Sequence, residues 1–164
     1  MLFLQKDKTP SRKKNNNDFL GGIKGDDSVI ATITLTPAEL LGLFVTPKVL
    51  VIGVPNKIIR PISASFFYTP GTTAYTNGGS IVLTYANNLN PTIFLFAAYS
   101  GAALTNNEIN LGYKAPLSYT LENNSGTDDP NVVGENLIMK NQTSAFLLGD
   151  GILKVEIYYY LSSL

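Results

Sequence analysis

The sequence predicts an all-β fold, an antiparallel β-sandwich of jelly-roll type, and three observations carry that expectation. Runs such as "VIATITL", "SIVLTYA" and "ILKVEIYYYL" alternate side chains with a period of two, which is the signature of half-buried strands. Turn-rich loops separate them, with Pro70-Gly71 and Asn77-Gly78 as explicit turn signals. Only one segment carries a full set of helix signals. Short strands joined by such loops, with almost no helix, pack as two sheets.

In "VIATITL", Val29, Ala31, Ile33 and Leu35 share one face of the first strand. The helix signals follow at once in "TPAELLG". Thr36 is the expected N-cap, Pro37 takes the first helical position, Glu39 completes a capping box, and Gly42 supplies the stop. One short helical turn is therefore expected over 37–42. "PKVLVIG" and "NKIIRPISASFFY" read as two strands joined by a turn around Gly53 to Asn56. In the second, Ile58, Ile62, Ala64, Phe66 and Tyr68 are expected on one face, with Arg60 as its polar exception. Pro61 removes a ladder donor and belongs at an edge or a bulge.

After the long loop "TPGTTAYTNGG", the strand "SIVLTYA" places Ile81, Leu83 and Tyr85 on one face. "TIFLFAAY" is a continuous apolar run of the kind buried on both sides. Short strands are expected near "INLGY" and "PLSYTL", then at "ENLIMK" and "SAFLLG". In the closing segment Leu153, Val155, Ile157, Tyr159 and Leu161 face inward, and Lys154, Glu156, Tyr158 and Tyr160 face outward.

The chain has 164 residues, enough for one domain that buries roughly 70% of its unfolded surface. Charged residues are only 15% of it, against about 25% in an ordinary soluble domain. A surface poor in charge and rich in Asn, Thr, Ser and Tyr suits one that meets other protein. There is no cysteine and no histidine, which excludes disulfides, thiolate sites, Ser-His-Asp catalysis and the commonest zinc ligand sets. The apolar run at the start, Leu2 to Leu4, is too short for a secretory signal, and the longest apolar stretches are strand-sized. A soluble protein is expected, with no membrane partner.

Residues 1–28 differ from the rest. Lys6, Lys8, Arg12, Lys13 and Lys14 stand against the single acid Asp7, ahead of an Asn run and "GGIKGDDS". The expectation is a flexible basic N-terminal arm, with the β-sandwich domain over 29–164. Two readings of the arm stay open: a segment that orders on an acidic or phosphate-bearing partner, and a solvated tail.

Candidate chemistry is thin. Asp26-Asp27 and Asp128-Asp129 are the densest acidic spots, but neither has the spaced ligand pattern of a calcium loop, so no metal and no cofactor are expected. Glycoside hydrolysis needs two carboxyl groups facing each other across a cleft, and no pair stands out. The expectation is a protein that is not an enzyme. Asn123-Asn124-Ser125 and Asn141-Gln142-Thr143 match the glycosylation sequon. The tyrosines carry more weight, because Tyr joins apolar area to a polar tip and is enriched at interfaces. Tyr158 and Tyr160, on the outer face of the closing strand, are the candidate subunit interface. Tyr75, in the 69–79 loop, is the candidate glycan contact.

"IATITLTPAELLGL", the stretch from "TPKVLVIGVPNK" to "GGSIVLTY", and "GDGILKVEIYYY" together resemble a family of small tailed-bacteriophage proteins encoded among virion structural genes. The resemblance covers roughly 29–86 and 136–160. Its specific parts are the capped turn after the first strand, the "TP-x-x-L-V" strand, the "G-T-x-x-Y" loop and the closing "GDG-x-L-K-V-x-x-Y-Y". Many such proteins have "P-G-x-G-K" where this chain has "VPNK", and many begin near the first strand, so the arm is extra. The resemblance implies a virion structural protein with no catalytic residues to carry over. The function expected from it is a head-decoration or auxiliary capsid protein, a homo-oligomer (a trimer favoured) that attaches to the major capsid protein through Lys6 to Lys14. Nucleic acid is not the expected partner. The expected location is the virion, after synthesis in the bacterial host cytoplasm. The alternative is a tail or head-fibre component binding host-surface glycans through tyrosine-rich loops.

Overall fold

The computed structural model describes residues 28–87, 98–114 and 132–163. In chain order its elements are β1 (Val29–Leu35), α1 (Pro37–Gly42), β2 (Lys48–Val51), β3 (Lys57–Thr69), β4 (Thr76–Asn77), β5 (Ile81–Tyr85), α2 (Ala102–Thr105), β6 (Asn110–Lys114), β7 (Leu137–Asn141), β8 (Phe146–Leu147) and β9 (Ile152–Ser163). The long strands form two antiparallel sheets, ordered β1-β9-β3-β6 and β2-β7-β5, and β4 pairs with β8 in a small third one. The all-β sandwich expected from the period-two pattern is what the chain builds. Among the described residues, leaving out the two-residue β4 and β8, each strand is followed by one in the other sheet. The first and last strands, β1 and β9, lie side by side.

The core fills the space between the sheets. Leu35, Ala64, Phe66, Leu153, Val155 and Ile157 enter from the larger sheet, and Ile81, Leu83, Leu137 and Met139 from the smaller. The Tyr85 hydroxyl crosses the gap to donate to the Ile59 carbonyl of β3. β5 is buried on both faces, since Val82 and Thr84 are as inaccessible as Ile81, Leu83 and Tyr85.

The capped turn forms as read. The Thr36 N–H donates to the Glu39 carboxylate at 2.9 Å, while the Glu39 N–H donates to the Thr36 hydroxyl at 3.4 Å. Gly42 does not end the helix through a left-handed cap, because Leu43 closes it in ordinary right-handed geometry. Leu40 and Leu43 then drop into the core, which is what docks α1 between the sheets. The single turn α2 had no counterpart in the sequence reading.

One expectation about β3 is corrected. Its register against β9 shifts between Pro61 and Ser63, so Ile62 is an extra residue without a partner. Pro61 sits at a bulge, as its missing donor requires. Because side chains alternate every residue, one inserted residue shifts the phase of the strand before it. Ile59 joins Ile58 in the core before the bulge, and Ile62, expected inward, turns outward at 38% exposure. Leu161, expected inward, is likewise exposed near the end of β9. The arm, "TIFLFAAY" up to Ala97, and "PLSYTL" lie outside the described residues.

Candidate functional site

The site is the outer face of the four-stranded sheet, and its layout follows from register. One row across it reads Ile30, Tyr158, Ser63; the next Thr32, Glu156, Ser65, Tyr113; the third Thr34, Lys154, Phe67, Leu111. Directly opposed residues on antiparallel strands share a face, so each row is a line of neighbours. Ile30, Tyr158, Leu111 and Tyr113 are exposed. Lys154 and Glu156, two apart on β9, form an ion pair at 2.7 Å, and the Lys154 ammonium also lies 5.3 Å from the centre of the Phe67 ring. The face therefore combines aromatic and aliphatic groups with charges that cancel locally. Its exposed apolar groups fall in two places, Ile30 with Tyr158 near β1 and Leu111 with Tyr113 on β6.

β9 does two jobs at once. Leu153, Val155 and Ile157 are fully buried, and Tyr159 packs against the same core. Tyr158 stands outward at 37% exposure beside Ile30, and Tyr160 is half-buried opposite Arg60. Arg60 Nε in turn donates to the Ser162 hydroxyl at 3.2 Å. Ile30, Phe67, Leu111 and Tyr113 were not singled out from the sequence. The alternation of Ile109, Leu111 and Tyr113 was the available signal, but it reads the same for a strand with its apolar face buried.

Tyr75 is corrected. It is 1% exposed, so it offers no surface on which a sugar could stack. Its ring packs edge-on against Tyr68 and Phe146, with centroids 6.4 and 5.6 Å away, and its hydroxyl donates to the Gly151 carbonyl at 2.7 Å. Burial pushes its phenol well above the ordinary tyrosine range. The "G-T-x-x-Y" and "GDG" segments thus meet as one unit that closes an end of the sandwich. Asp150 accepts from the Thr72 hydroxyl at 2.6 Å and the Thr73 N–H at 2.7 Å, bonds that hold its carboxyl below the usual range. Gly149 has φ +100°, and a Cβ at Gly151 would collide with the Tyr68 ring, so both glycines are needed to bring Asp150 to the loop.

Glu39 also has structural partners. Glu39 pairs with Lys48 and with the Thr36 cap, and these bonds, the Lys48 one foremost, hold it at about 2. That pair lies on a surface depression lined by Ala38, Gly42, Thr46 and Pro47. Among the described residues, no group of three or more Asp or Glu side chains gathers to hold a metal ion. No described helix is long and apolar enough to cross a membrane. Asn141 of the second sequon is buried, its side-chain oxygen accepting from the Gly79 N–H at 3.1 Å. Lys6, Lys8, Arg12, Lys13, Lys14, Asp26-Asp27, Asp128-Asp129 and the first sequon lie outside the described residues.

No family model matches the chain, and no curated protein matches it. Among solved structures it is similar to a chain in one titled "KBV activated particle at acidic pH". The TM-score is 0.26 at 10% identity, over 99% of this chain and 85% of that one.

Proposed function

We propose that this chain is a virion structural protein, and within that class a head-decoration or auxiliary capsid protein that works by protein–protein contact and not by catalysis. The observation that carries the reading is the outer face of the larger sheet. There β9 completes the core with one set of side chains and presents Tyr158 beside Ile30 with the other. Exposed Tyr158, Ile30, Leu111 and Tyr113 on this face are side chains that gain from burial against another protein. The described strands alternate between the two sheets with β1 beside β9, which supports the jelly-roll reading, an architecture used in viral shells. That likeness of architecture is analogy and does not by itself assign a function.

In this reading the copies assemble through Tyr158, Tyr160 and their neighbours, and the basic segment from Lys6 to Lys14 holds the assembly to the major capsid protein. Glu39, Asp150 and Glu156 each serve the fold through a bonded partner, which supports a scaffold role.

The test is the copy number of this chain per purified particle, measured by quantitative mass spectrometry against the major capsid protein. A ratio comparable with the shell protein is expected. A handful of copies would move the protein to a vertex or tail, and absence from the particle would overturn the proposal.

A further inference from the structure

We propose that β6 is a self-complementary edge, built to pair antiparallel with β6 of a second copy of this chain about a two-fold axis at Leu111. Among the described residues, β6 is the outermost strand of the four-stranded sheet and pairs only with β3. An open strand edge presents unpaired backbone groups, and proteins usually guard such edges with charge, proline or a bulge. This one carries the opposite character. Leu111 and Tyr113 are 69% and 66% exposed on the outer face, and Ile109, just before the strand in the same alternation, is 83% exposed.

The sequence from Glu108 to Lys114 reads E-I-N-L-G-Y-K, and the choice of partner follows from it. In an antiparallel pairing centred on Leu111, Glu108 lies opposite Lys114 of the partner copy and Lys114 opposite Glu108. Ile109 lies opposite Tyr113, Asn110 opposite Gly112, and Leu111 opposite itself. Opposite charges then close both ends of an apolar centre, the arrangement cross-strand pairing rewards. Moving the axis to Asn110 or Gly112 destroys the Glu–Lys match, so the charges specify one register. Among the described residues neither Glu108 nor Lys114 has an ion-pair partner. The interface is isologous, as a two-fold axis demands. Joined this way, two four-stranded sheets become one continuous sheet, and their outer faces merge.

The inference goes beyond the virion reading and stands without it, since it concerns the isolated protein. The natural chain has no cysteine, which makes a register-specific test possible. Directly opposed residues have Cα atoms about 4.5–5.5 Å apart, within disulfide reach. Oxidised Leu111→Cys should therefore form a covalent dimer. Tyr113→Cys should not, because four residues of offset put the two copies of position 113 roughly 13 Å apart. Ile109→Cys combined with Tyr113→Cys should cross-link again. By light scattering, Glu108→Lys should weaken the dimer roughly tenfold, and adding Lys114→Glu should restore it. Tyr158→Ser with Tyr160→Ser should leave the Leu111→Cys cross-link intact, which separates this contact from the one proposed above. Failure of Leu111→Cys to cross-link overturns the proposal. So does equal cross-linking through Tyr113→Cys, or a charge reversal that the double variant does not rescue.

Discussion

Asp150 and Thr73 stand 77 residues apart in sequence, and the carboxylate of one accepts the backbone N–H of the other at 2.7 Å. With the Thr72 hydroxyl bonded to the other carboxylate oxygen, this clamp ties the loop after β3 to the turn entering β9. It sits over the buried Tyr68, Tyr75 and Phe146 rings, so the clamp and the aromatic cluster close the same end of the sandwich.

Acid should release two such contacts. Asp150 and Glu39 both have carboxyl groups held below their ordinary values, so each binds its proton less readily folded than unfolded. Their contributions are fully present above the ordinary carboxylate range and are lost as pH falls; for Glu39 the window runs from 4.5 to about 2. Urea midpoints measured from neutral pH downward should fall for the natural chain. They should start lower and fall less for Asp150→Asn combined with Glu39→Gln.

Alkali should act through the buried phenols. Burial raises Tyr85 and Tyr99 from the ordinary 10.0 to about 12, so the folded state keeps protons that the unfolded chain gives up. Stability is whole below pH 10 and is lost as pH climbs through 12. Absorbance titration of the phenolates should show a late class of tyrosines that ionises together with the loss of the β circular dichroism.

Tyr75→Phe should lower stability by about 1–3 kcal/mol, because it strands the Gly151 carbonyl without its buried donor. Tyr75→Ala should cost about 3–5 kcal/mol by opening a cavity between Tyr68 and Phe146. Chemical denaturation reads both. A variant as stable as the natural chain would mean the ring is not the keystone of that end.

Tyr158→Ser with Tyr160→Ser should lower the oligomeric state proposed for the outer face while leaving the β circular dichroism unchanged. Tyr158 contributes little to the core from its exposed position. Sedimentation velocity across a concentration series is the measurement, and unchanged assembly would remove both residues from the contact.

Removing residues 1–28 should leave the sandwich folded, because β1 begins at Val29 and every described core residue lies beyond it. Binding to purified shells should be lost with the Lys6 to Lys14 segment. Unimpaired co-sedimentation of the shortened protein would rule out the arm as the anchor.

Much of the fold was legible because its signals are local. The Thr36–Glu39 capping box lies within one turn, so four residues specify it. The inward set Leu153, Val155 and Ile157 follows from strand alternation alone. The phase of β3 was not legible, since Pro61 announces a bulge without saying which neighbour becomes the extra residue. The site was only half legible. Tyr158 was found by its parity, whereas Tyr75 was misread because a polar, glycine-rich loop gives no hint that its tyrosine is turned inward.

By itself the sequence determined the all-β class, the positions of β1, β2, β3, β5, β6, β7 and β9, the capped turn and the absence of cysteine and histidine chemistry. These depend on alternation, capping and composition, each readable over a few neighbouring residues. Only the tertiary structure decided that the Thr72-Thr73 loop and Asp150 form one clamp, that Ile30, Tyr158, Phe67, Leu111 and Tyr113 lie on one sheet face, and that, among the described residues, Glu108 and Lys114 flank the edge strand β6. Those facts depend on which strands lie side by side and in what register, a property of contacts between distant segments that no local pattern encodes.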